Sequence, residues 1–248
     1  MRRQRRFSAI ILKAARFGEI HRSVHLLTDE DEVLRAVAHG AASAKGKLRG
    51  RTDPLNRGVC HLYTEPVKGY SKVSDFDPDE FYPGIKGNLD AFYAAAVWAE
   101  VILKSLAGGG QSTDVFALMS ESLDGMEAAL SEARGQIGTT QATARLLSIR
   151  FLWRYLEILG VQPDLDECAS CGRQLQENEE RFARPASGDL VCAACAGEQT
   201  LSLPGSGALK HISITGVDAL RRISLAPETS RRILSVVLTL VEAGLGVP

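Results

Sequence analysis

The apolar positions of this chain recur with two different periods, and the change from one to the other divides it. Over the first 76 residues they come in short bursts, at 7–15, 20–28, 33–38, 59–67 and 70–76. In the second burst Val24 and Leu26 alternate with His21, Ser23 and His25, the two-residue period of a strand with one face buried. Turn formers separate the bursts: Phe17-Gly18-Glu19, the acidic run 29–32, and Lys68-Gly69. Between the third and fourth bursts, residues 40–57 are polar, basic and rich in small side chains, so a loop is expected there, with room for a short helix. Five short strands with one long basic connection after the third predict an OB-fold barrel, a small sheet architecture that commonly binds oligonucleotides.

From Asn88 onward the period becomes helical. Leu89, Phe92, Tyr93, Ala96, Val97, Glu100 and Val101 share a helix that Gly108-Gly109-Gly110 ends. A second helix is expected over 113–134, capped by Ser112 or Thr113, and a third over 140–159, stopped by Gly160 and Pro163. Two more are expected at 214–223 and 227–243, the last opening on Pro227, whose missing N–H is harmless in a first turn. The aromatic residues Phe92, Tyr93, Trp98, Phe151, Trp153 and Tyr155 read as helical core. On the strands, Phe7, Phe17, Tyr63 and Tyr70 suit either core packing or base stacking.

Two Cys-x-x-Cys pairs interrupt the helices: Cys168 with Cys171 and Cys192 with Cys195, about twenty residues apart. Each pair lets two thiolates converge from one tight turn, and the two together complete the tetrahedral sulfur shell that zinc prefers. Residues 181–184 and 189–191 flank Pro185-Ala186-Ser187-Gly188, so the second pair should close a small hairpin, as in a zinc ribbon. One structural zinc is the expected occupant, since four protein ligands leave no open position for a substrate or an activated water. The same ligands could hold iron, and disulfides or a redox dithiol are the other uses of such pairs. Cys60, the fifth cysteine, reads as a small core residue.

The expected fold class is therefore α+β: an OB-fold domain over 1–77, a helical domain over 78–165, an inserted zinc ribbon over 166–199 and a return to the helical domain over 200–248. With 248 residues, 45% hydrophobic and 24% charged, the chain has the make-up of an ordinary globular protein. Its net charge of -1 hides a segregation. Residues 1–72 carry 15 Lys or Arg against 7 Asp or Glu, whereas residues 73–205 carry 9 against 20. A basic module that meets a polyanion, joined to an acidic body that does not, is the reading this favours.

The basic residues singled out for DNA are Arg2, Arg3, Arg5, Arg6, Lys13, Arg16, Arg22 and Arg35, with Lys45, Lys47, Arg49 and Arg51 of the long loop. The loop cations occupy alternate positions and, in an extended conformation, would share one side along a phosphate backbone. Lys45-Gly46-Lys47 imitates a phosphate-binding loop, but Ala41 replaces the first glycine and Leu48 the magnesium-binding hydroxyl. His21, His25, His39, His61 and His211 fall on strand-like or loop stretches and read as surface or core imidazoles, and no catalytic Ser, Gly-rich dinucleotide or zinc-deaminase pattern occurs. No enzyme is expected. The arginines at residues 2–6 suggest a leader, but Lys13 and Arg16 cut the following apolar run short, and the expected location is the cytoplasm.

The order of these parts resembles the RecO family of bacterial recombination and repair proteins. The run from Ile10 to Glu19, with Arg22 and Leu26-Leu27-Thr28, is similar to that family's first two strands. The stretch from Val33 to Ala41 followed by Lys47-Leu48-Arg49-Gly50 resembles its most recognisable segment, and the stretch from Gly188 to Cys195 resembles its second zinc knuckle. The resemblance implies a nucleoid-associated, non-enzymatic mediator that binds single- and double-stranded DNA and anneals complementary strands. It implies as partners RecR and the acidic C-terminal tail of single-stranded DNA-binding protein, and indirectly RecA, which it helps to load. Ala42, Ser43 and Ala44 stand where the family often carries further basic residues. A zinc-braced scaffold for RNA or an acidic protein, without annealing activity, is the alternative.

Overall fold

The computed structural model describes residues 4–30, 33–65, 69–106, 112–133, 137–177, 179–220 and 222–246. The chain forms two compact units, residues 1–87 with 95–123 and residues 88–94 with 124–248.

In the first unit, β1 (Gln4–Phe17), β2 (His21–Thr28), β3 (Val33–Ala38), β4 (Arg57–Glu65) and β5 (Tyr70–Glu80) close into a barrel of order β1-β2-β3-β5-β4. All pairings are antiparallel except β3 with β5. This is the OB-fold architecture that the strand spacing predicts. Alternation sets the core: Phe7, Ala9, Ile11, Val24, Leu26 and Phe76 point inward. Cys60 joins them, and burial pushes its thiol up to about 12, which makes it an inert apolar filler. A register shift between Ile11 and Lys13 bends β1, the local twist that closing so small a sheet demands. At Gly58 the barrel is tighter still: a Cβ there would stand 2.2 Å from the Asp77 carbonyl oxygen.

Strand β5 runs four residues beyond the expected end, to Glu80, and so adds Asp77, Asp79 and Glu80 to a module whose first 72 residues read as predominantly basic. The loop after β3 also differs from an extended cationic ribbon. It is a succession of tight turns, with Ser43 N–H donating to Gly40 O at 2.9 Å, Gly46 N–H to Ser43 O at 3.1 Å and Arg49 N–H to Gly46 O at 3.0 Å. Leu48, in the middle of the cations, is buried in the barrel core with Ala41, and anchoring it there coils the loop. The coil needs Gly46, where a Cβ would lie 1.8 Å from Gly40 O.

The helices are α1 (Pro83–Gly87), α2 (Leu89–Ser105), α3 (Ser112–Ala133), α4 (Ile137–Ile158), α5 (Ser206–Ile214), α6 (Val217–Leu220) and α7 (Pro227–Leu245). In the second unit α7 buries Ile233, Val236, Val237, Leu240 and Val241, a helical stripe, and packs on α4. The helix expected at 214–223 lies earlier. Leu209 and Ile212 supply its buried face, and Gly216 separates it from the single turn of α6. Trp98, Phe151, Trp153 and Tyr155 are core as expected, but Tyr93 is 62% exposed, with Leu89 and Val97 on the same face of α2. Among the described residues no helix is long and apolar enough to cross a membrane.

Candidate metal centre and nucleic-acid interface

The ribbon in the second unit is a sheet of order β7-β6-β8, made of β6 (Arg181–Ala183), β7 (Leu190–Val191) and β8 (Leu201–Leu203). Strands β6 and β7 are the expected hairpin. Its turn is closed by Arg184 N–H donating to Asp189 O at 2.9 Å and by Gly188 in the left-handed region. Gly172, also left-handed, reverses the chain after the first cysteine pair, and its N–H donates to Cys168 O at 2.9 Å. A 3-10 turn over Ala193–Cys195 presents the second pair, with Cys195 N–H donating to Cys192 O at 3.0 Å.

These turns bring the sulfurs of Cys168, Cys171, Cys192 and Cys195 within 4.8 Å of one another. The Cys171 and Cys192 sulfurs stand 4.0 Å apart, close to the edge of about 3.8 Å of a tetrahedron with 2.3 Å metal–sulfur bonds. None of the four is bridged. Burial alone would push the Cys168 thiol up, but N–H donors from Cys192, Cys171 and Ser170 outweigh it and bring it down to about 6. The Arg173 guanidinium, which also holds Glu179, donates to the Cys192 sulfur and lowers that thiol too. Cys195 moves the other way, up to about 12, because it donates to the Cys192 and Cys171 sulfurs. Sulfurs this close cannot all be anionic by themselves, and a divalent cation is what lets them be. The donor set fits a metal ion with four protein ligands.

The barrel places the other candidate residues by strand register. Lys13 of β1 lies opposite His25 of β2, which lies opposite Arg35 of β3, so the three form one row on the outer face. Among the described residues neither Lys13 nor Arg35 meets a carboxylate, and Arg35 donates to Ser23 Oγ at 3.1 Å. Farther along, Val37 of β3 pairs with Lys72 of β5, whose ammonium lies 4.8 Å from the Tyr63 ring centroid. Arg6, Lys45 and Lys13 have no hydrogen-bond or ion-pair partner among the described residues, while Arg16 and Arg49 donate only to carbonyls, those of Glu19 and Ala44. The remaining candidates are engaged. Arg5 pairs with Glu30 at 2.6 Å, Arg22 with Asp53, Lys47 with Asp75 at 2.6 Å, and Arg51 with Asp75 and Asp77 at 3.4 and 3.2 Å. Arg2 and Arg3 lie outside the described residues.

This pairing of a barrel with a four-cysteine ribbon can be set against known proteins. The family description "Recombination protein O N terminal" matches residues 1–80, and "Recombination protein O C terminal" matches residues 86–248. The chain belongs to the RecO family. DNA repair protein RecO of Synechococcus sp. (strain JA-3-3Ab) is 31% identical over 204 residues, which cover 79% of this chain and 64%, just under two thirds, of that protein. The RecO of Geobacter metallireducens is 32% identical over 190 residues, covering 77% of this chain and 72% of its own. That of Anaeromyxobacter sp. (strain Fw109-5) is 24% identical over 251 residues, covering 97% and 91%.

In this RecO-family chain the ribbon brings all four metal-ligand candidates together, whereas the barrel divides the basic ones. Lys72 and His25 are not among the residues the sequence singles out for DNA, though the alternation around Val73 and Val24 is the signal that puts both outward. Asp75 is the clearest modulator. The hydrogen bond from Lys47, with the Phe76 N–H and Arg51 behind it, holds the Asp75 carboxyl below the usual carboxylate range. Its contribution to stability is therefore present above the ordinary carboxylate pKa and is lost as pH falls through the depressed one. Replacing it frees Lys47 and leaves Arg51 with Asp77 as its carboxylate partner. Asp75→Asn is expected to tighten DNA binding about three- to fivefold, the scale of an exposed ion pair of up to about 1 kcal/mol, and to lower stability by a similar amount. Titration of a labelled oligonucleotide at fixed salt, beside urea unfolding, measures both; unchanged affinity would mean that Lys47 and Arg51 do not face the nucleic acid.

Proposed function

We propose that this chain is a non-enzymatic recombination mediator whose barrel binds DNA, anneals complementary strands and helps RecA load onto single strands covered by their binding protein. The observation that carries the reading is the outward row from Lys13 to Arg35, with Arg6, Arg16, Lys45, Arg49 and Lys72 also without a carboxylate partner among the described residues. Cations left without internal partners are available to phosphates, and each neutralised phosphate releases counterions. Two strands held on such a surface repel each other less, and base pairing then supplies the driving force. Phosphate contacts carry no sequence information, so the binding they supply should be indifferent to sequence and steeply salt-dependent.

The ribbon's metal is zinc in this reading, one per chain, and its role is to brace. The family implies RecR as a partner and the acidic tail of single-stranded DNA-binding protein as the recruiting element, which brings the barrel to coated strands. The test is annealing of coated complementary strands without ATP, using intact and tail-truncated coating protein. Acceleration that depends on the tail is the expected result. Equal rates with both coating proteins would remove the recruitment step, and no acceleration over spontaneous annealing would replace the mediator reading with that of a zinc-braced RNA or protein scaffold.

A further inference from the structure

The cross-strand row of Lys13, His25 and Arg35 is unfavourable as an isolated piece of protein. Residues directly opposite on adjacent strands have Cβ atoms about 5 Å apart, and like charges so placed destabilise a sheet. The register sets His25 between two cations, and its charged form is further disfavoured by partial burial. Lys13 from β1 and Arg35 from β3 are the charged groups that face it. The imidazole Nδ1 is shut off from solvent and has no hydrogen-bond partner among the described residues, so Nε2 is the atom through which the ring meets the outside. In the free protein His25 is therefore held neutral at pH values where an ordinary histidine begins to charge.

A phosphate reverses each of these pressures. Lying between the Lys13 ammonium and the Arg35 guanidinium, it would neutralise both neighbours and offer the histidine an anionic acceptor. We infer that the Lys13–His25–Arg35 row is a proton-coupled phosphate site, in which docking of a nucleic-acid backbone draws one proton onto His25. This rests on the reading of the barrel as the DNA surface and adds to it the linked proton and the residue that carries it. The linkage has a definite sign. Acid weakens the free fold, because the folded state resists charging His25, and it strengthens the complex, because the complex favours it.

Three measurements on the full chain test the inference. First, the affinity for a labelled single-stranded oligonucleotide at constant ionic strength should rise as pH falls between about 8 and 5, by up to about tenfold per pH unit inside the linked window. Second, binding heats in buffers of different ionisation enthalpy should give uptake of about one proton at the middle of that window. His25→Gln should abolish the uptake contributed by this site and flatten the profile, and His25→Lys should bind at the alkaline end as wild type does in acid. Third, the His25 ring proton, followed by NMR in unsubstituted protein, should titrate at higher pH with DNA than without, a readout that does not depend on how the variants fold. An unmoved His25 titration, or a His25→Gln variant with the wild-type pH profile, would overturn the inference while leaving DNA on the barrel. Affinity unchanged by Lys13→Glu with Arg35→Glu would instead show that DNA does not contact this row and would overturn the inference; affinity unchanged also when Arg6, Arg16, Lys45, Arg49 and Lys72 are reversed would remove the barrel-surface reading itself.

Discussion

Cys168→Ser is expected to empty the ribbon of its metal and melt it, while the barrel stays folded. The Cys168 sulfur is fully buried, accepts the Cys192 N–H at 3.3 Å and belongs to a small cluster with Leu175, Val191 and Cys192. That cluster is too small to fold a ribbon of three strands with two or three residues each. A metal held by the four cysteines would supply the difference, since structural zinc contributes about 10–16 kcal/mol of apparent binding free energy in comparable small sites. Metal analysis should give one zinc per wild-type chain and none in the variant. Hydrogen exchange should lose protection over 166–203 and keep it over the barrel strands. Coloured protein carrying iron would correct the identity of the ion, and a variant that keeps its metal would exclude Cys168 as a ligand.

The second large effect is expected at Arg181, a fully buried guanidinium with no carboxylate bonded to it among the described residues. Its Nε donates to Leu165 O at 2.8 Å, and its Nη1 reaches the carbonyls of Glu177 and Glu179 and the Ser206 hydroxyl. One side chain thus ties the approach to the first cysteine pair, the segment before β6 and the start of α5 together. The positive charge is tolerated because carbonyl dipoles surround it. Arg181→Ala would leave three carbonyls and a hydroxyl without this donor and open a cavity, at a cost of about 3–5 kcal/mol by analogy with a broken buried pair. Lys cannot replace it, since an ammonium lacks the planar fork that spans these acceptors. Urea unfolding of Arg181→Ala and Arg181→Lys checks this. A loss below about 1 kcal/mol in both would mean that the ribbon is held by the metal alone.

Much of the fold was legible because it depends on short-range patterns. The alternation around Val24 gives β2 its inward and outward faces, and the helical stripe after Pro227 gives α7, since each periodicity follows from local backbone geometry. The metal-ligand set was equally legible, because two Cys-x-x-Cys turns each place their sulfurs locally. Less was visible where a distant partner decides. The end of β5 at Glu80 is set by pairing with Arg57, twenty-three positions earlier in the chain, and apolar periodicity over 70–76 carries no trace of that partner. The helix expected at 214–223 failed at Gly216, whose break outweighs the apolar residues on either side.

The sequence by itself thus determined that a barrel precedes helices, that four named cysteines converge, and that the cations concentrate in the first third of the chain. Tertiary structure alone decided which of those cations are available. Lys47 and Arg51 meet Asp75 because burying Leu48 coils the loop toward β5, whereas Lys13 and Arg35 flank His25 because three strands share one register. Charge is a property of residues and survives in composition, but whether a charge is spent inside the protein depends on what folding sets within about 4 Å of it.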